Sequence, residues 1–423
     1  MKKSRISAAA ILLACSLYQG VCYAADWSEY RGPNHDGITS ESINTAWPQG
    51  GLKPLWTAPT PNGFSSFAVG GGEAFTIVGR DGKEECIALD GKTGKELWSI
   101  PTDAMKYQGG GDSGTPDNKG GDGPRSTPAY ADGKVYGYTS DLVLYCLDAK
   151  TGRKDWIIDM EKEHGGKNIS WSNASSPVID GELLFVAAGG PGQSFLGIDR
   201  KSGKVVWKSG TESITHATPV VADILGTRQV IFFVQSGLVS LSPTTGKQLW
   251  KFPFKYSTST AASPVVCGDI VYCSAGYGVG GGAAKITKSG SEFAATEMWK
   301  ISGNGEVANH WSTPVYKDGY LYGMFSFKRF GVGPLKCVEV ATGKVVWTKD
   351  GFGAGQVIMA KDKLIALADN GEVVIVDPTP DSYKEVARMK AVSGKCWSTP
   401  ALSDGHLYVR STKEAACFDV SAK

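Results

Sequence analysis

A series of acidic residues is the first pattern in this 423-residue chain that could carry chemistry: Asp90, Asp148, Asp199 and Glu339 occupy the same place in a recurring phrase. Carboxylates that recur in this way would suit general acid–base work or cation binding. Three residues after each stands a Thr-Gly or Ser-Gly pair, and that spacing gives a plainer reading. An acidic side chain accepts backbone N–H groups across a turn, and the glycine supplies the left-handed residue. These acids are structural. The five histidines, His35, His164, His216, His310 and His406, lie far apart without metal-ligand spacing. No nucleophile elbow or phosphate loop occurs, and the glycine runs at 70–72, 109–111 and 280–282 read as turns or loops. Asp112, Asp117 and Asp122 fit no calcium-loop spacing and read as solvated loop. No catalytic set and no metal site follows from these residues.

Cysteine chemistry is equally quiet. Nine cysteines are present; Cys15 and Cys22 fall in the leader, and the rest are Cys86, Cys146, Cys267, Cys273, Cys337, Cys396 and Cys417. Cys146, Cys337 and Cys417 take equivalent places in separate repeats, too far apart to bridge, and read as small buried thiols. Cys267 and Cys273 flank a hairpin at Gly268-Asp269 without facing each other, so the sequence leaves a bridge there open.

The elements that must position any site are announced by tryptophan. Trp56, Trp98, Trp156, Trp207, Trp250, Trp299 and Trp347 follow one another at spacings of 42, 58, 51, 43, 49 and 48 residues. Most close the phrase apolar–Asp–x–x–Thr–Gly–Lys–x–x–Trp, as in Leu89-Asp90…Thr93-Gly94-Lys95…Trp98. A period near fifty that fills the chain predicts an all-β, eight-bladed β-propeller with four-stranded antiparallel blades. The tryptophans read as wedges between blades, each burying on the order of 200 Å². The last segment supplies three strands, at Pro400-Ala401-Leu402, Leu407-Tyr408-Val409 and Ala416-Cys417-Phe418. Pro54-Leu55-Trp56 is the missing fourth, so the N-terminal strand closes the ring and removes free sheet edges. Residues 276–291 and 107–123 are Gly-rich and read as loops that break the period.

The ends bound where the chain works. Lys2, Lys3 and Arg5 precede an apolar run too short to span a bilayer, then Cys22-Tyr23-Ala24, so residues 1–24 read as a signal peptide cleaved near Ala24. Leu12-Leu13-Ala14-Cys15 also approximates a lipoprotein signal acylated at Cys15. The expected location is periplasmic or secreted, with no transmembrane segment in the mature chain. Residues 25–51 form an extended lead, and residues 52–423 the propeller. The formal charge of +2 falls to −1 without Lys2, Lys3 and Arg5, which argues against nucleic acid as partner. A monomer is expected.

Each innermost strand starts at a Ser/Thr–Pro step, and the residue just before should line one mouth of the central channel. Around the ring these are Phe64, Arg125, Ala174, His216, Ala261, Trp311, an undefined residue near Ala354, and Trp397; Trp171, Asn173 and His310 lie slightly further out. An arginine, two histidines and several aromatics converging on a funnel make a binding surface. Phe64, Arg125, Trp171, His216, His310, Trp311 and Trp397 are therefore the candidate ligand-binding residues.

The repeat phrase, the Ser/Thr–Pro strand starts and the eightfold count resemble the pyrroloquinoline-quinone-like (PQQ-like) β-propellers, which include quinoprotein alcohol dehydrogenases and the assembly lipoprotein BamB. Asp26-Trp27…Tyr30-Arg31-Gly32-Pro33-Asn34…Gly37 and Gly123-Pro124-Arg125-Ser126-Thr127-Pro128 resemble a large group of exported bacterial propellers. The resembled dehydrogenases use an adjacent Cys–Cys lid and calcium ligands that do not map onto this chain. The resemblance thus implies a non-catalytic, BamB-like binding or scaffold protein without cofactor, taking a protein or carbohydrate partner at the cell envelope. The alternative it carries is a PQQ-dependent alcohol or sugar oxidoreductase with quinone and calcium over the funnel.

Overall fold

The computed structural model describes residues 26–104, 123–325, 331 and 333–422. The proposed leader, Cys15 and the acids Asp112, Asp117 and Asp122 lie outside these residues. Eight antiparallel sheets follow one another around a ring. The third blade is typical: Val178–Asp180, Leu183–Gly190, Gln193–Asp199 and Val205–Ser209, ordered from the axis outward. The ring closes as expected from the sequence. Trp56–Pro59 pairs antiparallel with Glu414–Asp419, with Trp56 opposite Cys417.

The turn acids are structural. Asp90 accepts from the Thr93 backbone N–H and hydroxyl, each at 2.8 Å, and Asp148 and Asp199 repeat the arrangement with Thr151 and Ser202. The glycine that follows has a second duty. Each of these turns lies under the tryptophan of the preceding blade, and a Cβ on Gly94 would stand 2.5 Å from Trp56, one on Gly246 2.4 Å from Trp207. The indole N–H then reaches a carbonyl of the next blade: Trp98 to Ala149, Trp156 to Arg200, Trp299 to Val340 and Trp347 to Thr379. Phrase and tryptophan are thus two halves of one inter-blade joint.

Trp250 departs from this pattern. Its N–H goes to Gln229 of its own sheet, at 2.7 Å. The following blade has no Thr-Gly turn. Gly280–Ser289 and Glu292–Ile301 form a long hairpin there instead, each strand ten residues. This also corrects the reading of residues 276–291 as loop: most of the stretch is strand. The glycines are there for close packing, since a Cβ on Gly282 would meet the Phe254 ring at 2.9 Å. All seven described cysteines are free and buried; Cys267 pairs with Ile270 and Cys273 with Gly282, so no bridge forms between them.

The Ser/Thr–Pro steps make a girdle around the axis. Ser66 N–H donates to Thr127 Oγ1, Thr127 N–H to Ser176 Oγ and Ser176 N–H to Thr218 Oγ1, at 2.9, 2.9 and 3.0 Å. Thr399 N–H returns to Ser66 Oγ at 2.7 Å. The seventh blade has no such hydroxyl. There the buried Gln356 amide donates to Trp311 O and Trp397 O, bridging the blades on either side. The mouth position the sequence left undefined near Ala354 is Ala354 itself, which packs with Phe64 and Trp397.

The lead does more than pack along the ring: it runs inside it. Innermost strands present unpaired backbone groups to the axis, and buried groups of that kind need partners. Trp27 O accepts from Val69 N–H, Ser28 O from Tyr130 N–H, and the Glu29 carboxylate from Ile179 N–H. On the far side Arg31, 2 % exposed, donates to Thr313 O and Pro314 O, both at 2.8 Å. Ile38–Thr39 then adds a fifth, parallel strand to Gln356–Ala360. Residues 27–39 touch the inner strands, or their first residues, in five blades and occupy the central channel.

Candidate functional site

The mouth where the innermost strands begin carries the candidate residues, and their rings form one continuous arc. Phe64 stacks on Trp397 with centroids 4.8 Å apart, and Trp311 meets the same indole at 4.4 Å. The arc continues through His310 (5.6 Å from Trp311), Tyr277 (5.2 Å from His310), Trp171 (6.3 Å from Tyr277) and His216 (6.2 Å from Trp171). Arg125 joins the end of it, donating to Trp171 O at 2.7 Å. All seven sequence-derived residues therefore come together. Asn173 does not face the mouth: its amide donates to Thr139 O and Ser175 O and secures a loop of the second blade.

The arc has two depths. Phe64, Trp397 and Ala354 are buried and self-packed, with Trp311 against them and its N–H on Ala354 O at 3.1 Å. Trp171 and Tyr277 stand at the rim, 36 % and 42 % exposed. Both rim residues hold left-handed backbone, with φ of 71° for Trp171, 60° for Ser172 and 53° for Tyr277. Each such bulky residue stores roughly 1–3 kcal/mol of strain, a feature that clusters at binding sites. The Tyr277 loop is held in place by Asn304, which accepts from Gly278 N–H at 2.6 Å. Gly276 permits the approach of His310, whose ring would lie 2.4 Å from a Cβ there.

The electrostatics of the mouth are subdued. Burial, helped by the Arg125 charge, pushes His216 down to about 4, so it is neutral near pH 7 and its Nε2 donates to Ser170 O at 3.0 Å. His310 Nδ1 lies 2.9 Å from Ser259 Oγ. Asp369 is buried beside the stack and pushed up to about 6 by burial, although Gly331 N–H and Ala354 N–H, each at 3.0 Å, favour its charged form. Lys395 is buried as well, its Nζ 4.6 Å above the Trp397 ring. Among the described residues no three His, Cys, Asp or Glu side chains converge as a metal site would require.

Tyr277, Gln356, Asp369 and Lys395 were not singled out from the sequence. Tyr277 had a signal, a large aromatic between two glycines at a hairpin tip, hidden by treating the whole Gly-rich stretch as loop. Lys395 and Asp369 offered none, because only the fold brings the 368–371 turn against residues 394–397.

The profile of the family described as outer membrane protein assembly factor BamB matches residues 46–165 and 83–323. BamB of Shewanella oneidensis is 23 % identical over 265 residues, covering 60 % of this chain and 64 % of the relative. A tetrathionate hydrolase of Acidithiobacillus ferrooxidans is 22 % identical over 331 residues, covering 67 % of this chain and 62 % of the relative. This chain thus spans less than two thirds of the length of either protein. Among solved structures, the quinohemoprotein alcohol dehydrogenase ADHIIG of Pseudomonas putida aligns with a TM-score of 0.62 at 13 % identity, over 94 % of this chain and 81 % of its own; at that identity the likeness is one of fold. With eight blades, the Trp–Thr-Gly joints and a profile match across most of the ring, the chain belongs to the PQQ-like, BamB-like β-propeller family.

Proposed function

We propose that this protein is an exported, non-catalytic binding propeller of the cell envelope that captures a partner, protein or carbohydrate, on its aromatic mouth. The observation that carries the reading is the rim: two large exposed rings held on strained backbone above a buried aromatic stack. Strain retained at an exposed aromatic serves recognition rather than stability. The apparent leader at 1–24 supports export to the periplasm or beyond, and no described helix is long and apolar enough to cross a membrane.

The mouth does not fit a quinone with its calcium. Trp397 is already buried against Phe64, Trp311 and Lys395, and the buried carboxylate beside them, Asp369, is committed to backbone N–H groups. The lead also fills the channel beneath. Two measurements test the reading. Purified protein equilibrated with pyrroloquinoline quinone and calcium is expected to show no stoichiometric uptake and no dye reduction with alcohols or sugars; uptake with turnover replaces the binding reading by an oxidoreductase. Retention of envelope components on immobilised protein is expected to fall in the Arg125→Ala/Trp311→Ala double variant, and equal retention would move the binding surface off the mouth.

A further inference from the structure

We propose that Asn304–Gly305 is a site of spontaneous deamidation whose isoaspartyl product releases the Tyr277 loop; neither step depends on what the mouth binds. Deamidation asks little of a chain. The backbone nitrogen after an asparagine must reach the side-chain carbon Cγ, and a glycine there leaves the approach open. The described residues hold three Asn-Gly steps, at Asn62, Asn304 and Asn370, and two of them share the phrase Asn-Gly-Glu-Val, at 304–307 and 370–373. The fold separates what the sequence makes alike. Gly371 N–H already donates to Ala368 O at 2.9 Å, and Asn370 Oδ1 accepts from Glu372 N–H. Gly63 is buried with φ of +95°, a Cβ on it would lie 2.7 Å from Pro124 O, and Asn62 O accepts from the buried Arg410 at 3.2 Å. Neither of these peptides can swing its nitrogen onto Cγ without local opening. At the third step Asn304 and Gly305 are both exposed, and a Cβ on Gly305 would meet nothing within 4 Å. Gly305 N–H has no acceptor among the described residues.

The Asn304 side chain is also polarised for attack. Gly278 N–H donates to its Oδ1 at 2.6 Å, and that oxygen gathers negative charge in the tetrahedral intermediate, so the bond acts as an oxyanion donor. Hydroxide takes the Gly305 N–H proton, the nitrogen bonds to Cγ, and the Cγ–Nδ2 bond breaks. Ammonia leaves with a proton from water, which restores the hydroxide, and a succinimide ring remains. Water then opens the ring at either carbonyl, leaving aspartate or isoaspartate. In isoaspartate Cγ becomes part of the main chain and the free carboxylate sits on Cα, so Gly278 N–H loses the acceptor that Oδ1 supplied. Tyr277, next to that bond with φ of 53°, is in left-handed backbone that relaxes when its supports are removed.

The test is incubation of the purified protein in mildly alkaline buffer, read over time by peptide mass spectrometry and enzymatic isoaspartate labelling. In the native protein a gain of about 1 Da is expected at Asn304, at least roughly tenfold faster than at Asn62 or Asn370, because the clamped steps react only from opened chain. In denaturant the rates at Asn304 and Asn370 should draw together, since their neighbours in sequence match. Gly305→Ala, which has room for its methyl, should slow the reaction, and Asn304→Gln should remove it. Equal native rates at the three steps, or a gap between Asn304 and Asn370 that denaturant leaves unchanged, overturn the assignment. Hydrogen exchange then reads the loop. The Gly278 amide is expected to exchange roughly tenfold faster in the isoaspartyl fraction than in unmodified protein. Unchanged exchange in that fraction overturns the release of the loop and leaves the modification standing.

Discussion

Replacing Gly246 by alanine tests the joint that sets the repeat. The residue has φ of +67°, and an added Cβ would stand 2.4 Å from Cε3 of Trp207. Two effects add: alanine in left-handed backbone costs about 1–2 kcal/mol, and forcing a methyl into a filled contact costs about 1–3 kcal/mol more. Gly226 is the internal control. Its φ is +72°, and a Cβ there meets nothing within 4 Å, so Gly226→Ala carries the backbone effect alone. Urea denaturation followed by circular dichroism is expected to place Gly246→Ala below Gly226→Ala by about 1–3 kcal/mol. In a double-variant cycle with Trp207→Ala the excess should vanish, because the methyl then enters the space the indole has left. Equal destabilisation by the two alanines, or strict additivity with Trp207→Ala, would refute the claim that the turn glycine is the seat of the preceding blade's tryptophan.

Three further outcomes follow from the described contacts. Arg31→Lys should lower stability by about 3–5 kcal/mol, because a point ammonium cannot fork to Thr313 O and Pro314 O of one blade and Val357 O of the next as the guanidinium does; a denaturation midpoint equal to the parent's would show that the lead is not locked at Arg31. Gln229→Leu should destabilise by roughly 2–4 kcal/mol, since Gln229 Oε1 accepts from both Trp250 Nε1 and Ser240 Oγ in a fully buried setting; a neutral effect in the same assay would mean those donors find other partners. Asp369 is held near 6, above its ordinary 3.8, so folding favours its protonated form. Its contribution to stability is complete below pH 3.8 and is lost as pH rises through about 6. Relative to Asp369→Asn, the parent should therefore weaken by about 2–3 kcal/mol between pH 4 and pH 7, and parallel pH profiles would contradict the assignment.

The ring, its count of eight and its closure by Trp56 were legible in the sequence because each depends on local chemistry that repeats. A turn acid needs its Thr and Gly three and four residues on, and a strand needs its own alternation, so the signals survive without knowledge of neighbours. The ring of residues before the Ser/Thr–Pro steps was legible for the same reason: equivalent positions in a closed ring must share a face. Only the tertiary structure decided what fills that symmetry where it breaks. Gln356 substitutes for a missing hydroxyl, Trp250 turns to its own sheet because the next blade lacks the Thr-Gly turn, and Tyr277 rises from a stretch that composition alone presents as loop. The lead is the clearest case. Arg31 bonds to carbonyls more than 280 residues away, and nothing in the local pattern of residues 26–37 records that the axis is lined by unpaired strand edges able to receive it. Periodic, short-range order can be read from the chain; partners supplied by separate blades across a common axis exist only once the circle has closed.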